Sequence, residues 1–207
     1  MSAVAAALEA FAQGGIVIVT DDAGREDEGD MIVAGSLCST EAMAFLIRHG
    51  CGIVCAPVSA AIADRLALPA MVSVNDAPLA TAFTVSVDLR ARLCTGISAT
   101  ERAATVRALA DPGARSADFV RPGHMFPLRG HLGGLDARQG HTEAALALCG
   151  LAGLPEVAAI CELFHDDGRV MRGVSIAAFA QSHGLPLIEV DALRAHASAR
   201  TRRAMMA

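Results

Sequence analysis

The stretch TDDAGREDEGDM, Thr20 to Met31, places six carboxylates and one arginine in twelve positions, directly after the apolar run Ile16 to Val19. Carboxylates packed this closely repel one another unless a cation sits among them. The stretch reads either as a solvated acidic turn or as the mouth of a metal site. Magnesium-type ions take oxygen ligands, recruit one or two carboxylates, and leave the other positions to water and substrate. Glu26 is the candidate ligand, and Arg25 can grip a carboxylate or phosphate through its planar fork. A calcium hand is excluded by register: with Gly29 as its sixth position, the first ligand position falls on Gly24.

Three other places carry residue types suited to chemistry. RQGHTE, Arg138 to Glu143, sits where a helix begins, and the unpaired amides of a helix start collect anions. Arg138, the flexible Gly140 and the Thr142 hydroxyl make a phosphate cradle there; Thr142 as an ordinary N-cap is the plainer reading. His141, at the same entrance, is either a metal ligand through neutral imidazole or an ordinary packed histidine. His124 lies in RPGHMFPL, where Pro122 and Pro127 stiffen what reads as a loop or end a helix. Glu162 lies in the apolar strand AAICELF; facing out it is solvated, and facing in it becomes a candidate acid or base.

Composition narrows the chemistry. All 17 basic residues are arginine, so no Schiff base to a carbonyl substrate can form through lysine. A metal, an anion cradle, an acid/base pair and no lysine together fit enolisation of a phosphorylated ketose. Net charge is −5 with aromatic content of 3%, which argues against nucleic-acid binding. Six scattered cysteines read as reduced thiols of a cytoplasmic protein; Cys51 and Cys55 lack the second pair a zinc knuckle needs. The amino-terminal segment lacks the pattern of a signal peptide, and no apolar run is long enough to cross a membrane.

The elements that must position these residues alternate along the chain. Helices are expected over Ala3 to Gln13, after Ser39, after Ser59, over RAATVRALA behind a Ser98–Glu101 capping box, over TEAALALCGLAG, and over SIAAFAQSHG. Strands are expected at Ile16 to Thr20, Met31 to Gly35, GIVCAPV, Phe83 to Val87, Glu156 to Phe164 and LPLIEV. No linker or repeat divides them, so one α+β domain over residues 1–207 is expected, a mixed sheet between helices, with the basic end from about 197 left as a frayed tail.

In this order, DDAGREDEGDMIVAG, RHGCGIVCAP, FTVSVD, TGISATERAATVRAL, RPGHMFPLRG, GHTEAALALCGLAG and CELFHDDG resemble the 3,4-dihydroxy-2-butanone 4-phosphate synthase family, from about Ala5 to about His196. The resemblance implies an α/β/α sandwich and a homodimer with active sites near the subunit interface. It implies magnesium-dependent conversion of D-ribulose 5-phosphate to 3,4-dihydroxy-2-butanone 4-phosphate and formate on the route to riboflavin, with manganese as the alternative ion. Carried over by motif, Glu26 and His141 hold the metal. Arg25, Glu26, Asp30, the segment Arg138, Gln139, Gly140, His141, Thr142, and Glu162 hold substrate. His124 and Glu162 are the catalytic pair, Glu28 is a further acid/base candidate, and Cys55, Thr95 and Ser98 line the pocket with less defined roles. Asp21, Asp22 and Asp27 receive no role.

Gln139 stands where RGGHT has glycine, Thr100-Glu101 replaces Ala-Asp, and Ala82 replaces a glycine. Many bacterial family members carry a fused GTP cyclohydrolase II domain; here the chain stops soon after LPLIEVDALRAH, so a monofunctional synthase is expected. The alternatives are a metal-dependent ketose-phosphate isomerase or aldolase, and a non-catalytic sugar-phosphate-binding paralogue.

Overall fold

Short polar punctuation sets the elements. Ser39, Ser59 and Ser98 each stand in extended backbone and accept the amide three residues on, at Ala42, Ile62 and Glu101, so each starts a helix as expected. In a computed structural model describing residues 2–22, 24–50, 53–91 and 93–205, the elements run in chain order. They are α1 (Ala3–Ala12), β1 (Val17–Thr20), β2 (Gly29–Ala34), α2 (Thr40–His49), β3 (Cys55–Val58), α3 (Ala60–Arg65), β4 (Val87–Leu89) and α4 (Ala99–Ala110). There follow β5 (Phe119–Arg129), α5 (Gly134–Ala137), α6 (His141–Ala152), β6 (Ala158–Glu162), α7 (Val174–His183), β7 (Leu187–Glu189) and α8 (Val190–Met205).

The described strands form one mixed sheet in the order β4-β5-β3-β6-β2-β1-β7. Alternation along the central strands divides the core into two layers. Val17, Val19, Ile32, Ala158 and Ile160 face α1, α6 and α8. Ile18, Met31, Val33, Ala159 and Cys161 face α2, α4 and α7. The result is the expected sandwich, with both faces of the sheet buried. β2 pairs antiparallel with β1 and β6, so Asp30 lies opposite Val19 on one side and Glu162 on the other.

Several expectations change. β2 begins at Gly29 rather than Met31, which moves Asp30 out of the loop and into the ladder. RPGHMFPL is neither a loop nor a helix end, but the body of β5. Pro122 is tolerated because the pairing with β4 shifts register between Val87 and Asp88, so no ladder donor is required there. Thr142 is not the N-cap of α6: Gly140 is, and Thr142 is the buried second residue of the helix, with no side-chain cap bond at that end. Within the segment expected as a frayed tail, residues 197–205 are helical, since α8 runs through Met205, and 206 and 207 lie outside the described residues. Cys51 lies outside the described residues. No described helix is long and apolar enough to cross a membrane.

Candidate active site

At one end of the sheet the acidic loop between β1 and β2 folds around a single carboxylate. Asp21 Oδ1 accepts the amide of Glu28 at 3.0 Å, and its Oδ2 accepts the amide of Glu26 at 3.2 Å and Arg25 Nη1 at 2.7 Å. Its side chain is only 1% exposed. Burial pushes the Asp21 carboxyl up, but the Glu28 amide, Arg25 and the charge of His141 outweigh burial and hold it below the usual range. Asp21, which the sequence reading left without a role, is thus what gives the loop its shape. Asp22 caps the turn through the Gly24 amide, and Asp27 takes a left-handed φ of 55° that aspartate tolerates better than most residues.

Held this way, Glu26 points at the start of α6. Its Oε2 bonds Arg25 and lies 3.8 Å from His141 Nδ1. Asp30 Oδ1 lies 3.6 Å from the same nitrogen. That oxygen is buried and has no hydrogen-bond partner among the described residues. One ligand atom each from Asp21, Glu26 and His141 fall within 4.8 Å of one another. Around one ion with bonds of ~2.1 Å, ligand atoms sit at most about 4.2 Å apart, so small side-chain rotations close the set. Burial holds His141 neutral, with its pKa lowered to about 4; nearby Arg25 and Arg138 act in the same direction. A neutral buried imidazole, carboxylate oxygens and an orphaned acceptor fit a divalent cation.

The remaining carboxylates crowd the same end. Burial first, then the charges of Glu162, Glu26, Glu28 and Asp21, pushes Asp30 well above the usual aspartate range. Glu28 is raised by burial and by Glu26, while Arg172 opposes the shift. Arg172 reaches across from the segment after β6 to the Glu28 carboxylate at 3.0 Å and to the Glu26 carbonyl. It was not singled out from the sequence, because its partners lie so far back along the chain.

At the start of α6, Arg138 Nη1 pairs with the buried Glu143 carboxylate at 2.7 Å, and Glu143 also accepts the His131 amide. A Cβ on Gly140 would lie 2.6 Å from Arg138 Nη1 and 3.0 Å from Glu143 Oε2, so glycine lets the pair close over the helix entrance. Gln139 lines a cleft of about 250 Å³ with Asp21 and Arg25. Arg138 and Thr142 line a neighbouring one of about 320 Å³. A larger cleft of about 610 Å³, between α3, α6 and the end of α8, is lined by Glu143 and Glu156 but by none of Asp21, Glu26, Glu28, Asp30 or Glu162.

The structure therefore brings Arg25, Glu26, Asp30, His141 and Glu162 together, with Arg138, Gln139, Gly140 and Thr142 at the adjoining helix entrance. His124 is set apart. Cys55 lies opposite both Ile160 and Phe126, so two residues along each strand Glu162 and His124 are about two strand spacings, ~10 Å, apart. Of the expected pocket-lining residues, Cys55 is buried on β3, and Thr95 and Ser98 are engaged with Glu101. His124 has a partner the sequence reading missed: its Nδ1 lies 2.7 Å from Asp88 Oδ2.

Comparison with known proteins points one way. The family model for 3,4-dihydroxy-2-butanone 4-phosphate synthase matches residues 5–196. A Saccharomyces cerevisiae protein of that name is 49% identical over 195 residues, 90% of this chain and 94% of that one. The riboflavin biosynthesis protein RibBA of Chlamydia trachomatis is also 49% identical, over 93% of this chain and 46% of its own length. A crystal structure of a 3,4-dihydroxy-2-butanone 4-phosphate synthase in complex with two magnesium ions superposes with a TM-score of 0.90 at 43% identity, covering 95% of this chain and 96% of that one.

Proposed function

Since the chain belongs to the 3,4-dihydroxy-2-butanone 4-phosphate synthase family, we propose that its carboxylate cluster converts D-ribulose 5-phosphate to 3,4-dihydroxy-2-butanone 4-phosphate and formate with a divalent cation. The observation that carries this reading is the convergence of Glu26, Asp30, His141 and Glu162 from four different elements onto one end of the sheet. Glu26 and His141 are the residues that hold the metal, with Asp21 shaping the loop that presents Glu26. The bound cation supplies Lewis acidity that stabilises negative charge on substrate oxygens.

The chain's own groups supply the rest. Arg25 and Arg138 each carry an ion-pair partner, Glu26 and Glu143, which keeps their guanidinium groups oriented toward an anionic substrate. The start of α6 adds the first-turn amides, which lie outside the helix's own ladder, as a cradle for the phosphate. Asp30, driven toward its protonated form by burial and then by its acidic neighbours, can hold a proton beside substrate oxygens. Glu162, on the adjoining strand, and His124, two strands away, are the acid/base groups for the elimination and hydrolysis steps. Their separation suits proton work at different carbons of a five-carbon chain.

Homodimer formation belongs to the same reading. Met71, Val72, Val74 and Leu79, on the segment between α3 and β4, and Leu132 after β5 are large apolar side chains left exposed, Leu132 at 89%. A second copy covering them is the expected occupant.

The test is formate release. Purified protein with ribulose 5-phosphate and magnesium should release formate. Glu26→Ala and His141→Ala should each reduce turnover and Mn²⁺ affinity by at least ~100-fold with the fold unchanged. An isomeric sugar phosphate without formate favours an isomerase or aldolase, and binding without turnover favours a non-catalytic paralogue.

A further inference from the structure

The three bonds that Asp21 accepts all come from within the acidic loop, so they shape it without fixing where it stands. A second anchor reaches the loop from 144 and 146 residues further along the chain. Arg172 Nη2 pairs with Glu28 Oε1 at 3.0 Å, and its Nη1 donates to the backbone carbonyl of Glu26. One planar fork thus grips both a side chain of the loop and the peptide of the residue that presents the metal-binding carboxylate.

Arg172 is itself held. Its amide donates to Ser175 Oγ at 3.0 Å, and that hydroxyl donates back to the Arg172 carbonyl at 2.7 Å. Gly173, the N-cap of α7, takes a φ of 49°, a conformation glycine adopts without strain, so the chain enters the helix directly after Arg172. The first turn of α7 lies against the start of β2, where a Cβ on Gly29 would meet Ile176 Cδ1 at 3.0 Å. Between β6 and α7 the chain doubles back: the His165 amide donates to the Arg169 carbonyl at 2.8 Å, and the Met171 amide to the Leu163 carbonyl at 2.9 Å. The Leu163 amide in turn donates to the Gly29 carbonyl at 2.9 Å. Arg172 therefore springs from a frame that includes the end of β6, where Glu162 stands, and closes on the loop that carries Glu26.

We infer that Arg172 is a positioning residue that straps the acidic loop to the turn after β6 and so sets where Glu26 stands relative to Glu162 and His141. The inference rests on the reading of Glu26 as a metal ligand of the family reaction. The Arg172 side chain is 50% exposed, and an ion pair this open contributes little to global stability. Its effect lies in geometry, because misplacing a reacting group by ~1 Å lowers turnover steeply.

Hydrogen exchange of the metal-free protein reads the strap without turnover. In Arg172→Gln the amides of Glu26 and Glu28 should exchange ~10-fold faster, while those of Ile32 and Ile160 in the central strands keep their wild-type protection. Mn²⁺ affinity and kcat should each fall ~10-fold. Arg172→Lys keeps the charge and should recover part of each loss. Loop exchange or Mn²⁺ affinity of Arg172→Gln within about twofold of wild type overturns the inference. So does acceleration that spreads equally to Ile32 and Ile160, which marks a general loss of stability. If the wild type releases no formate, the functional reading fails while loop exchange and Mn²⁺ affinity still decide the strap.

Discussion

At the scale of single residues the site is a problem in charge. Asp21 accepts two backbone amides and a guanidinium, so Asp21→Ala removes three bonds that fix the acidic loop at once. Mn²⁺ affinity, followed by electron paramagnetic resonance, should fall at least ~10-fold, and an unchanged affinity would show that the loop holds itself. His141 and Asp30 act with opposite signs. The folded pKa of His141 is about 4 against 6.5 ordinarily, so the unfolded chain takes up the proton first as pH falls. The metal-free protein should lose stability from pH 6.5 down to 4 through this group, on the order of 3 kcal/mol, and His141→Gln should flatten that slope in urea unfolding. Asp30 is raised in the fold, so its contribution is fully present below 3.8 and lost as pH rises through its folded value. Asp30→Asn should therefore raise the thermal midpoint of the metal-free protein at neutral pH, and a lower midpoint would contradict the crowding of carboxylates around it.

At the scale of elements, the start of α6 and the path of β5 decide where the site residues stand. Gly140→Ala forces a Cβ into the Arg138–Glu143 pair and should raise KM for the sugar phosphate several-fold, with little effect on kcat. A change in kcat alone would place the phosphate elsewhere. These elements also show what the sequence did and did not reveal. The serine caps of α2, α3 and α4 were legible because a cap acts three residues away. The proposal of a metal pair and a helix-start cradle needed several motifs in fixed order. Asp88 and Arg172 were not, because each earns its role from contacts about 36 and 144 residues distant in the chain. β5 was misread as a loop because its prolines look like breakers until the register shift opposite them is known. Thr142 looked like a cap because glycine at Gly140 carries no side chain to advertise the helix start.

For the whole molecule, the sandwich buries both faces of its sheet yet leaves Met71, Val72, Val74, Leu79 and Leu132 on the surface. Light scattering should give twice the chain mass, and Val74→Glu together with Leu132→Glu should shift the protein toward monomer. A monomeric wild type would remove the second copy from the account. The central claim is that the carboxylate end of the sheet cuts one carbon from a five-carbon sugar phosphate. The most direct test is ribulose 5-phosphate labelled with carbon-13 at C4, the carbon that the family resemblance implies is expelled as formate, incubated with the protein and magnesium and followed by NMR. The label should appear in formate and nowhere else, and chelation of the metal should abolish its release. Label that stays in a five-carbon sugar phosphate, with no labelled formate, would contradict the account.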